Sequence, residues 1–163
     1  MNYTLILIIF TVLVSISAFS NESLYQKMLL WPKRMKESRE YYRFLSSGFI
    51  HADYMHLIFN MLALFFFGGI VEQYFDSRGM PRFLFLVMYL AGIVAASMPS
   101  FLKHQDNAYY RSLGASGGVA AVLFSFVYFA PWQIIRVYFI PIPGIIAAVA
   151  YLAYSAYMSK KGG

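Results

Sequence analysis

The stretch Leu113-Gly114-Ala115-Ser116-Gly117-Gly118 opens an apolar run that continues from Val119 to Ala130. An uncharged run of this length predicts a helix that crosses the hydrocarbon core of a bilayer. Ser116 lies between small residues at the start of that helix, so other backbones can approach it closely, and it is a candidate nucleophile. Gly114 and Gly118 also have the small-xxx-small spacing of packed membrane helices, and helix packing alone would explain the stretch.

The composition extends the membrane prediction to the whole chain. Of the 163 residues, 60% are hydrophobic and 12% are charged, and the mean hydropathy is +0.59. A soluble domain of this size could not bury so much apolar surface. The net charge of +6 is carried by loops between apolar runs, which favours contact with anionic lipid headgroups over binding to nucleic acid. The chain has no cysteine, which excludes disulfides, thiolate metal sites and a cysteine nucleophile.

Five apolar runs predict an all-α, polytopic membrane helix bundle in a single domain, 1–163. The runs are Tyr3 to Phe19, Met55 to Val71, about Phe83 to Met98, Leu113 to Ala130, and about Val137 to Met158. Pro141, Pro143 and Gly144 weaken the start of the fifth run and move the expected start of its helix toward Ile145. Residues 1–42 are predicted to hold the first helix and an interfacial loop, and residues 43–159 a motif-bearing core. Pro99 to Arg111 is predicted to be a polar loop.

A long polar connection runs from Ser20 to about Asp53 and mixes charges with aromatic and aliphatic bulk. Such a segment is expected to lie at the membrane interface. The distribution of basic residues argues against an N-terminus inside, because that orientation would leave only Arg78, Arg82 and Arg136 in the inner loops, but composition alone does not settle the orientation.

Three polar residues, His51, His56 and Asn60, lie in or beside the second apolar run. His56 and Asn60 are four residues apart and share one helix face. Polar groups in hydrocarbon either hydrogen-bond neighbouring helices or serve function. With five spans, the second and fourth helices start on the same side of the membrane, so His56, Asn60 and Ser116 are expected together. Two side-chain donors facing a serine whose own backbone N–H is free form the arrangement of an oxyanion hole.

The segment from Arg43 to Met61, RFLSSGFIHADYMHLIFNM, closely resembles the His-x4-His-x3-Asn segment of rhomboid intramembrane serine proteases. Three further stretches agree in the same order: Gly68-Gly69-Ile70-Val71-Glu72, Tyr89-Leu90-Ala91-Gly92 and Gly114-Ala115-Ser116-Gly117-Gly118. The resemblance covers the chain from about Arg43 to Ser159, and the combination is specific where each piece alone is not.

The resemblance implies a serine endopeptidase that cleaves transmembrane segments of other membrane proteins without a metal or organic cofactor. By this resemblance Ser116 matches the nucleophile, and His56 and Asn60 match the side chains that stabilise the oxyanion. His51 matches a histidine that organises the first loop, and Glu72 matches a structural hydrogen-bonding residue at the far end of the second helix. The family topology places the N-terminus in the cytoplasm and the site near the outer face of the membrane. The expected location is the inner or plasma membrane of a bacterium.

One part of the family pattern is not found in this sequence. Rhomboid proteases use a Ser-His dyad whose base lies on a sixth helix, and that helix packs on the glycines of the fourth. The three histidines here all precede Ser116, so the resemblance implies a chain truncated before the sixth helix, with the general base absent and with little or no activity. Gly117 and Gly118 are then expected to border an empty groove.

Two alternatives to the truncated protease stay open. The first is a non-catalytic rhomboid-like protein that binds or escorts membrane proteins. The second makes His56 or His104 an improvised base. His104, beside Gln105 and Asp106, is otherwise interpreted as a solvated loop residue.

The fifth run carries a stripe of tyrosines at every third position, Tyr151, Tyr154 and Tyr157. The stripe predicts packing or contact with the lipid interface. In rhomboids this helix borders the lateral entrance for substrates.

Overall fold

The computed structural model describes residues 2–137 and 139–161, and within them the chain is mostly helical. The helices are α1 (Tyr3–Phe19), α2 (Glu22–Met28), α3 (Pro32–Ser38), α4 (Arg43–Ser46), α5 (Tyr54–Ser77), α6 (Phe83–His104), α7 (Ser116–Phe129) and α8 (Gly144–Lys161). A short 3-10 turn, Ser47–Phe49, follows α4, and two strands, β1 (Ile134–Val137) and β2 (Ile140–Pro143), form a hairpin between α7 and α8.

Helix α1 shows why the bilayer is the solvent of this fold. Four of its five buried positions, Thr4, Leu7, Thr11, Ser15 and Ala18, carry small or hydroxyl side chains, whereas many of its bulky aliphatic and aromatic residues are exposed. A helix with small and hydroxyl side chains toward the protein and large apolar ones outward is typical of membrane proteins, where helices pack through small residues. This pattern would be unstable in water, because it leaves a large apolar surface uncovered.

The five predicted apolar runs each form a helix. Among the described residues, Tyr54–Ser77 and Phe83–His104 are long and apolar enough to cross a membrane by length and composition, and Tyr3–Phe19, Ser116–Phe129 and Gly144–Met158 are shorter apolar helices. The bounds of α1 are those predicted from the sequence, and α8 begins one residue before the position at which the prolines were expected to delay it.

Helix α7 occupies the centre of the bundle and packs against α6, α5 and α8, while α1 packs against α5. Its buried face consists of Gly118, Val119, Val122, Leu123 and Phe126. These residues join one hydrophobic core with the buried faces of α5 and α6. The first residue of α7 is therefore fixed in the bundle by a helix that is surrounded on several sides.

The predicted polar loop from Pro99 to Arg111 is wrong in its first half, because α6 continues through Pro99 to His104. A proline removes a single backbone hydrogen bond from a helix. Beyond it the ring of Phe101 packs against Phe44, with ring centroids 5.2 Å apart. Phe44 belongs to the connection between α1 and α5, residues 20–53, which we call the first loop. Its contact with Phe101 favours continuing α6 past the proline.

The connection between α1 and α5 is folded around a buried arginine. Arg43 is almost fully buried, and its guanidinium donates to the Glu40 carboxylate at 2.6 Å and to the carbonyls of Gln26 and Leu29 at 2.9 and 2.8 Å. A buried cation is tolerated only when it is paired and hydrogen-bonded in this way. Arg43 thus holds α2 and α4 together as one unit.

Candidate active site

Ser116 is the first residue of α7 and lies in the wall of a cavity of about 610 Å³. Residues of α2, α5, α6, α8 and the loop before α7 form the rest of the wall. The wall is rich in hydroxyl groups, since it includes Ser47, Ser97, Ser100, Ser112 and Ser155 as well as Ser116. His56 from the first turn of α5 lines the same cavity. A polar cavity between membrane helices is a place where water and a peptide backbone can both be accommodated.

Gly114 determines how closely His56 approaches the segment before Ser116. Its φ is +117°, a backbone conformation that residues with a side chain rarely adopt. A Cβ built on Gly114 would lie 2.9 Å from Cε1 and 3.1 Å from Nε2 of His56. The glycine therefore lets the imidazole pack directly on the backbone two residues before the serine.

His51 holds the residue that precedes Ser116. Its Nε2 accepts a hydrogen bond from the backbone N–H of Ala115 at 3.3 Å. Its Nδ1 lies 2.9 Å from the hydroxyl of Ser15, and that hydroxyl donates to the carbonyl of Phe49. The network assigns the proton to Nδ1, because Ser15 uses its own proton elsewhere and Nε2 must accept. The ring of His51 packs edge-on against that of His56, with centroids 5.0 Å apart.

The neutral state of His51 is required by its surroundings. The ring is fully buried, and burial, with a smaller contribution from His56, lowers the pKa of His51 to about 3 although Asp53 acts in the opposite direction. A protonated ring would place a second N–H against the Ala115 N–H and lose the acceptor. His51 is therefore a neutral acceptor at any physiological pH.

The first loop also holds the segment before α7 through backbone bonds. Leu30 and Ser112 form an isolated antiparallel bridge, with N···O distances of 3.0 and 3.1 Å. The N–H of Gly114 donates to the carbonyl of Ser47 at 2.8 Å. In addition, the guanidinium of Arg111 lies 3.2 Å above the centre of the Trp31 ring. The position of Ser116 is thus set from both directions, by α7 and by the first loop.

Asn60 lies one turn further along α5 than His56 and is almost fully buried. Its side-chain nitrogen donates to the His56 carbonyl at 2.8 Å, and its side-chain oxygen accepts from the hydroxyl of Tyr151 on α8 at 2.8 Å. Asn60 is not among the residues that line the cavity. The structure thus brings His56 and Ser116 to one cavity and places Asn60 behind it, with one amide N–H left to donate.

Gly117 and Gly118, which were expected to border an empty groove, also pack against α6, and Gly117 lines the cavity as well. A Cβ on Gly117 would lie 2.5 Å from the Cβ of Ala96 and 2.8 Å from the carbonyl oxygen of Gly92, both on α6. A Cβ on Gly118 would lie 2.7 Å from the ring of Tyr89. The two glycines allow α7 to pack backbone-to-backbone against α6. Sequence spacing identified them as packing residues but could not tell which helix they face.

Glu72 lies at the opposite end of α5 from His56. Its carboxylate accepts from the backbone N–H and the hydroxyl of Thr4, both at 2.6 Å, and from the N–H of Tyr3 at 3.2 Å. These N–H groups belong to the first turn of α1, where a helix has no internal acceptors. Asn2 accepts from the N–H of Leu5. Glu72 therefore ties the start of α1 to α5 and lies far along the chain from the cavity.

His104 differs from its interpretation as a solvated loop residue. It is the last residue of α6, and its ring stacks on Tyr110 with centroids 3.8 Å apart and nearly parallel planes. No group of His, Cys, Asp and Glu that could hold a metal ion occurs among residues 2–137 and 139–161.

Sequence reasoning missed several residues that shape the site. Ser15 belongs to a stripe of hydroxyl residues at Thr4, Thr11 and Ser15, one face of an otherwise aliphatic helix, and that spacing was a usable signal. Arg43 stands at the start of the resembling segment and could have been recognised as a buried charge only with its partners in view. Tyr151 was found in the tyrosine stripe, but its bond to Asn60 depends on how α8 packs.

Comparison with known proteins agrees with this architecture. The family model of the rhomboid domain matches residues 38–161. RHOMBOID-like protein 12, mitochondrial, of Arabidopsis thaliana is 29% identical over 121 residues, which are 64% of this chain and 34% of the relative. Rhomboid protease GlpG of Haemophilus influenzae is 28% identical over 123 residues, 74% of this chain and 58% of the relative. Rhomboid protease GluP of Bacillus subtilis is 35% identical over 91 residues, 56% of this chain and 16% of the relative.

This chain spans less than two thirds of the length of each of these relatives. The family match, in contrast, covers most of the chain and includes every helix that contributes to the cavity except α2. By this match the chain belongs to the rhomboid family of polytopic helical membrane proteins.

Proposed function

We propose that this protein is an intramembrane serine endopeptidase that cleaves transmembrane segments of other membrane proteins. The observation that carries the proposal is that Ser116, at the N-terminus of a central helix, shares a polar cavity with His56 inside a bundle of apolar helices. The rhomboid protease names of several relatives support the same activity. The substrate, as a membrane segment, would reach the cavity from the bilayer.

In the proposed reaction the Ser116 oxygen attacks the carbonyl carbon of the scissile peptide and gives its proton to a general base. The carbonyl oxygen becomes an oxyanion, which the Ser116 backbone N–H and His56 would stabilise, and Asn60, which lies behind the cavity wall, would join them by turning its remaining N–H toward the cavity. Collapse of the intermediate breaks the C–N bond, and the departing amine takes the proton from the base. Water then hydrolyses the acyl-enzyme and restores the serine.

The identity of the base separates this proposal from its alternatives. His51 is hydrogen-bonded at both ring nitrogens and His104 does not line the cavity that contains Ser116, so neither is suited to accept a proton from Ser116. In the Ser-His dyad of rhomboid proteases the base is a histidine, and we place His56, which lines the cavity with Ser116, in the oxyanion role and not in that of the base. If His56 served instead, His56→Ala would abolish the residual turnover of the 163-residue chain, whereas Asn60→Ala would only reduce it.

A fluorophosphonate probe tests the proposed nucleophile. The protein made from its complete natural reading frame would be reconstituted in liposomes and treated with the probe, and the modified residue identified by mass spectrometry. We expect labelling at Ser116 that is lost in Ser116→Ala. Ser155→Ala is the matched control, because Ser155 lines the same cavity from α8, and it should label normally. Absence of label at Ser116 in the folded protein would refute the protease proposal.

The second candidate is a non-catalytic rhomboid-like protein that binds or escorts membrane proteins. One observation favours it: among the described residues, the Ser116 hydroxyl has no hydrogen-bond partner that could serve as a base. This candidate predicts no probe labelling, together with retained binding of transmembrane segments in both the wild type and Ser116→Ala.

The mitochondrial names of some relatives leave a bacterial plasma membrane and an organelle membrane as alternative locations, and we propose the bacterial plasma membrane.

A further inference from the structure

The hairpin between α7 and α8 exposes an unusual amount of apolar surface. We call this surface the hairpin patch. It consists of the exposed side chains of the hairpin and of the last turn of α7 before it: Tyr128, Trp132, Ile134, Phe139 and Ile140. Phe139 is 94% exposed, Tyr128 80% and Trp132 73%. Several large apolar side chains this exposed within one short segment mark a surface that is covered by something other than water.

The hairpin lies at the level where the membrane helices end. The hydroxyl of Tyr74, in the last turn of α5, donates to the side chain of Gln133 at 2.9 Å. The guanidinium of Arg78, which follows α5, lies 4.6 Å above the ring of Phe129, the last residue of α7. These contacts place the hairpin beside the boundary between hydrocarbon and headgroups, on the face where α5 ends and α6 begins.

The hairpin is a fixed platform rather than a free loop. Ile135 and Ile142 lie opposite each other in the strand pair and pack into the core. The N–H of Gly144 donates to the Gln133 carbonyl at 2.9 Å, and the N–H of Ile145 donates to the Pro131 carbonyl at 2.9 Å. Because the face that carries Ile135 and Ile142 is anchored, Ile134 on the opposite face is held outward. Ile140 lies on the same face as Ile142 and is exposed at the turn, beyond the anchored residues.

The outer edge of β2 is also adapted to a medium with little water. Pro141 lies opposite Arg136 and Pro143 opposite Ile134. Proline has no N–H to donate, so the hydrogen-bonded pairs of this antiparallel ladder are those that alternate with the two proline pairs. The carbonyls of both prolines therefore point away from β1. The outer edge of β2 therefore has no N–H donor. This lowers the free energy needed to move the edge out of water, and it prevents another strand from pairing with the edge. Its two proline carbonyls still need hydration, which a headgroup layer provides.

From these observations we propose that the hairpin patch is a lipid-binding surface that lies in the headgroup layer and inserts its aromatic and aliphatic side chains at the upper end of the acyl chains. Trp and Tyr prefer this depth because each has an apolar ring and a polar group. Arg136, the exposed charge of β1, would lie among the lipid phosphates. The inference rests on the membrane location of the family and not on the proposed catalytic activity.

Tryptophan quenching tests the position directly, because the chain has only two tryptophans. Trp31→Phe leaves Trp132 as the single reporter in protein reconstituted into phosphatidylcholine and phosphatidylglycerol vesicles. We expect bromine atoms near the headgroup end of the acyl chains to quench Trp132 more than bromines near the methyl ends. We also expect aqueous iodide to quench it weakly.

Two controls bracket the result. In a chain with both tryptophans replaced by Phe, Tyr109→Trp reports a site that is 92% exposed in the loop between α6 and α7, and Phe10→Trp reports the exposed middle of α1. Trp132 should differ from both controls in its quenching by iodide and by the brominated lipids. Its emission maximum should lie at a shorter wavelength than that of Tyr109→Trp. Strong iodide quenching without lipid quenching would overturn the proposal, and so would protection from both quenchers, which would indicate a protein partner.

If Trp31→Phe does not fold, a second measurement tests whether the hairpin patch contacts lipid. The absence of cysteine from the chain allows Phe139→Cys to be labelled with an environment-sensitive dye in the otherwise native sequence. The dye should show a blue shift in vesicles and lose fluorescence with shallow brominated lipids. A dye that reports bulk water at this position would contradict the proposal.

Discussion

At the scale of single residues, the site depends on side chains that hold other groups in place. His51 accepts the Ala115 N–H, and Tyr151 donates to Asn60; neither is the proposed nucleophile. Each fixes the direction in which a neighbour presents its N–H groups. Such positioning residues are expected to affect the rate of a reaction at Ser116 without touching the reacting atoms.

The buried state of His51 predicts a loss of stability in mild acid. Because the pKa of His51 is about 3 in the folded protein and its ordinary value is near 6.5, only the unfolded chain takes up the proton as the pH falls below that value. The stabilisation is therefore present above about pH 6.5 and declines toward pH 3, by about 2 kcal/mol at pH 5. Thermal unfolding in detergent micelles between about pH 8 and pH 5 measures it.

His51→Asn should lower the stability of the protein and reduce this pH dependence, whereas His104→Gln should leave the dependence unchanged. The charged and titratable groups that face His51 are His56 and Asp53. A pH dependence that is the same in His51→Asn as in the wild type would contradict the assignment.

Tyr151→Phe tests whether Asn60 needs its partner. The variant leaves the Asn60 side-chain oxygen without its donor in a buried position, which should cost about 1–2 kcal/mol of stability. If Asn60 helps to stabilise an oxyanion, the rate of Ser116 modification by a fluorophosphonate should also fall, by about three- to tenfold. Tyr154→Phe is the control, because Tyr154 packs on Phe59 through its ring and should keep both values. A stability loss without a rate change would limit Tyr151 to a structural role.

At the scale of helices, α6 and α7 pack with their backbones in close contact. Gly92, Gly117 and Gly118 leave no room for a methyl group between the two helices. Backbone atoms cannot move aside as a flexible side chain can, so this contact fixes the rotation of α7 and with it the direction of Ser116.

Gly117→Ala should destabilise the protein by about 1–3 kcal/mol, because its Cβ would collide with the backbone of α6. Gly69→Ala is a matched change within a membrane helix where nothing lies within 4 Å of the new Cβ. It should leave stability unchanged or raise it by up to about 1 kcal/mol. Unfolding of both variants by SDS in mixed micelles would measure the difference, and equal stabilities would contradict the packing argument.

The comparison of sequence with structure is also clearest at the scale of helices. Hydropathy located all five apolar helices, because a membrane helix must carry its signal in its own residues. The count of spans put the starts of the second and fourth helices on one side, and His56 and Ser116 do line one cavity. The hairpin of β1 and β2 was not predicted, since its Ile-Pro-Ile-Pro strand reads as a weakened helix start. The extension of α6 past Pro99 depends on the contact of Phe101 with another part of the chain. Tertiary contacts of this kind leave no local signal.

At the scale of the whole molecule, the orientation in the membrane is the first property to establish. The resemblance to rhomboids places the N-terminus in the cytoplasm, whereas the count of basic residues favours the reverse. The side of the membrane that contains the cavity decides from which compartment water enters it.

Single-cysteine labelling would determine the orientation, because the natural chain supplies no background thiol. We expect Tyr109→Cys, in the loop between α6 and α7, to react with a membrane-impermeant maleimide added to intact cells, and Ser77→Cys, at the end of α5, to react only after lysis. The opposite pattern would show that the charge distribution and not the family topology determines the orientation.

The hydrogen bond from Ala115 to His51 joins residues 64 positions apart, and this distance along the chain has a consequence for biosynthesis. The ribosome completes α1, the first loop and α5 well before it reaches Ser116, so the groups that receive the segment before α7 exist in the membrane first. Non-local contacts of this kind form late in folding. The Ser116 cavity is therefore assembled only after α7 has inserted, and an unfinished chain does not present the proposed nucleophile in an organised site to neighbouring proteins where it inserts.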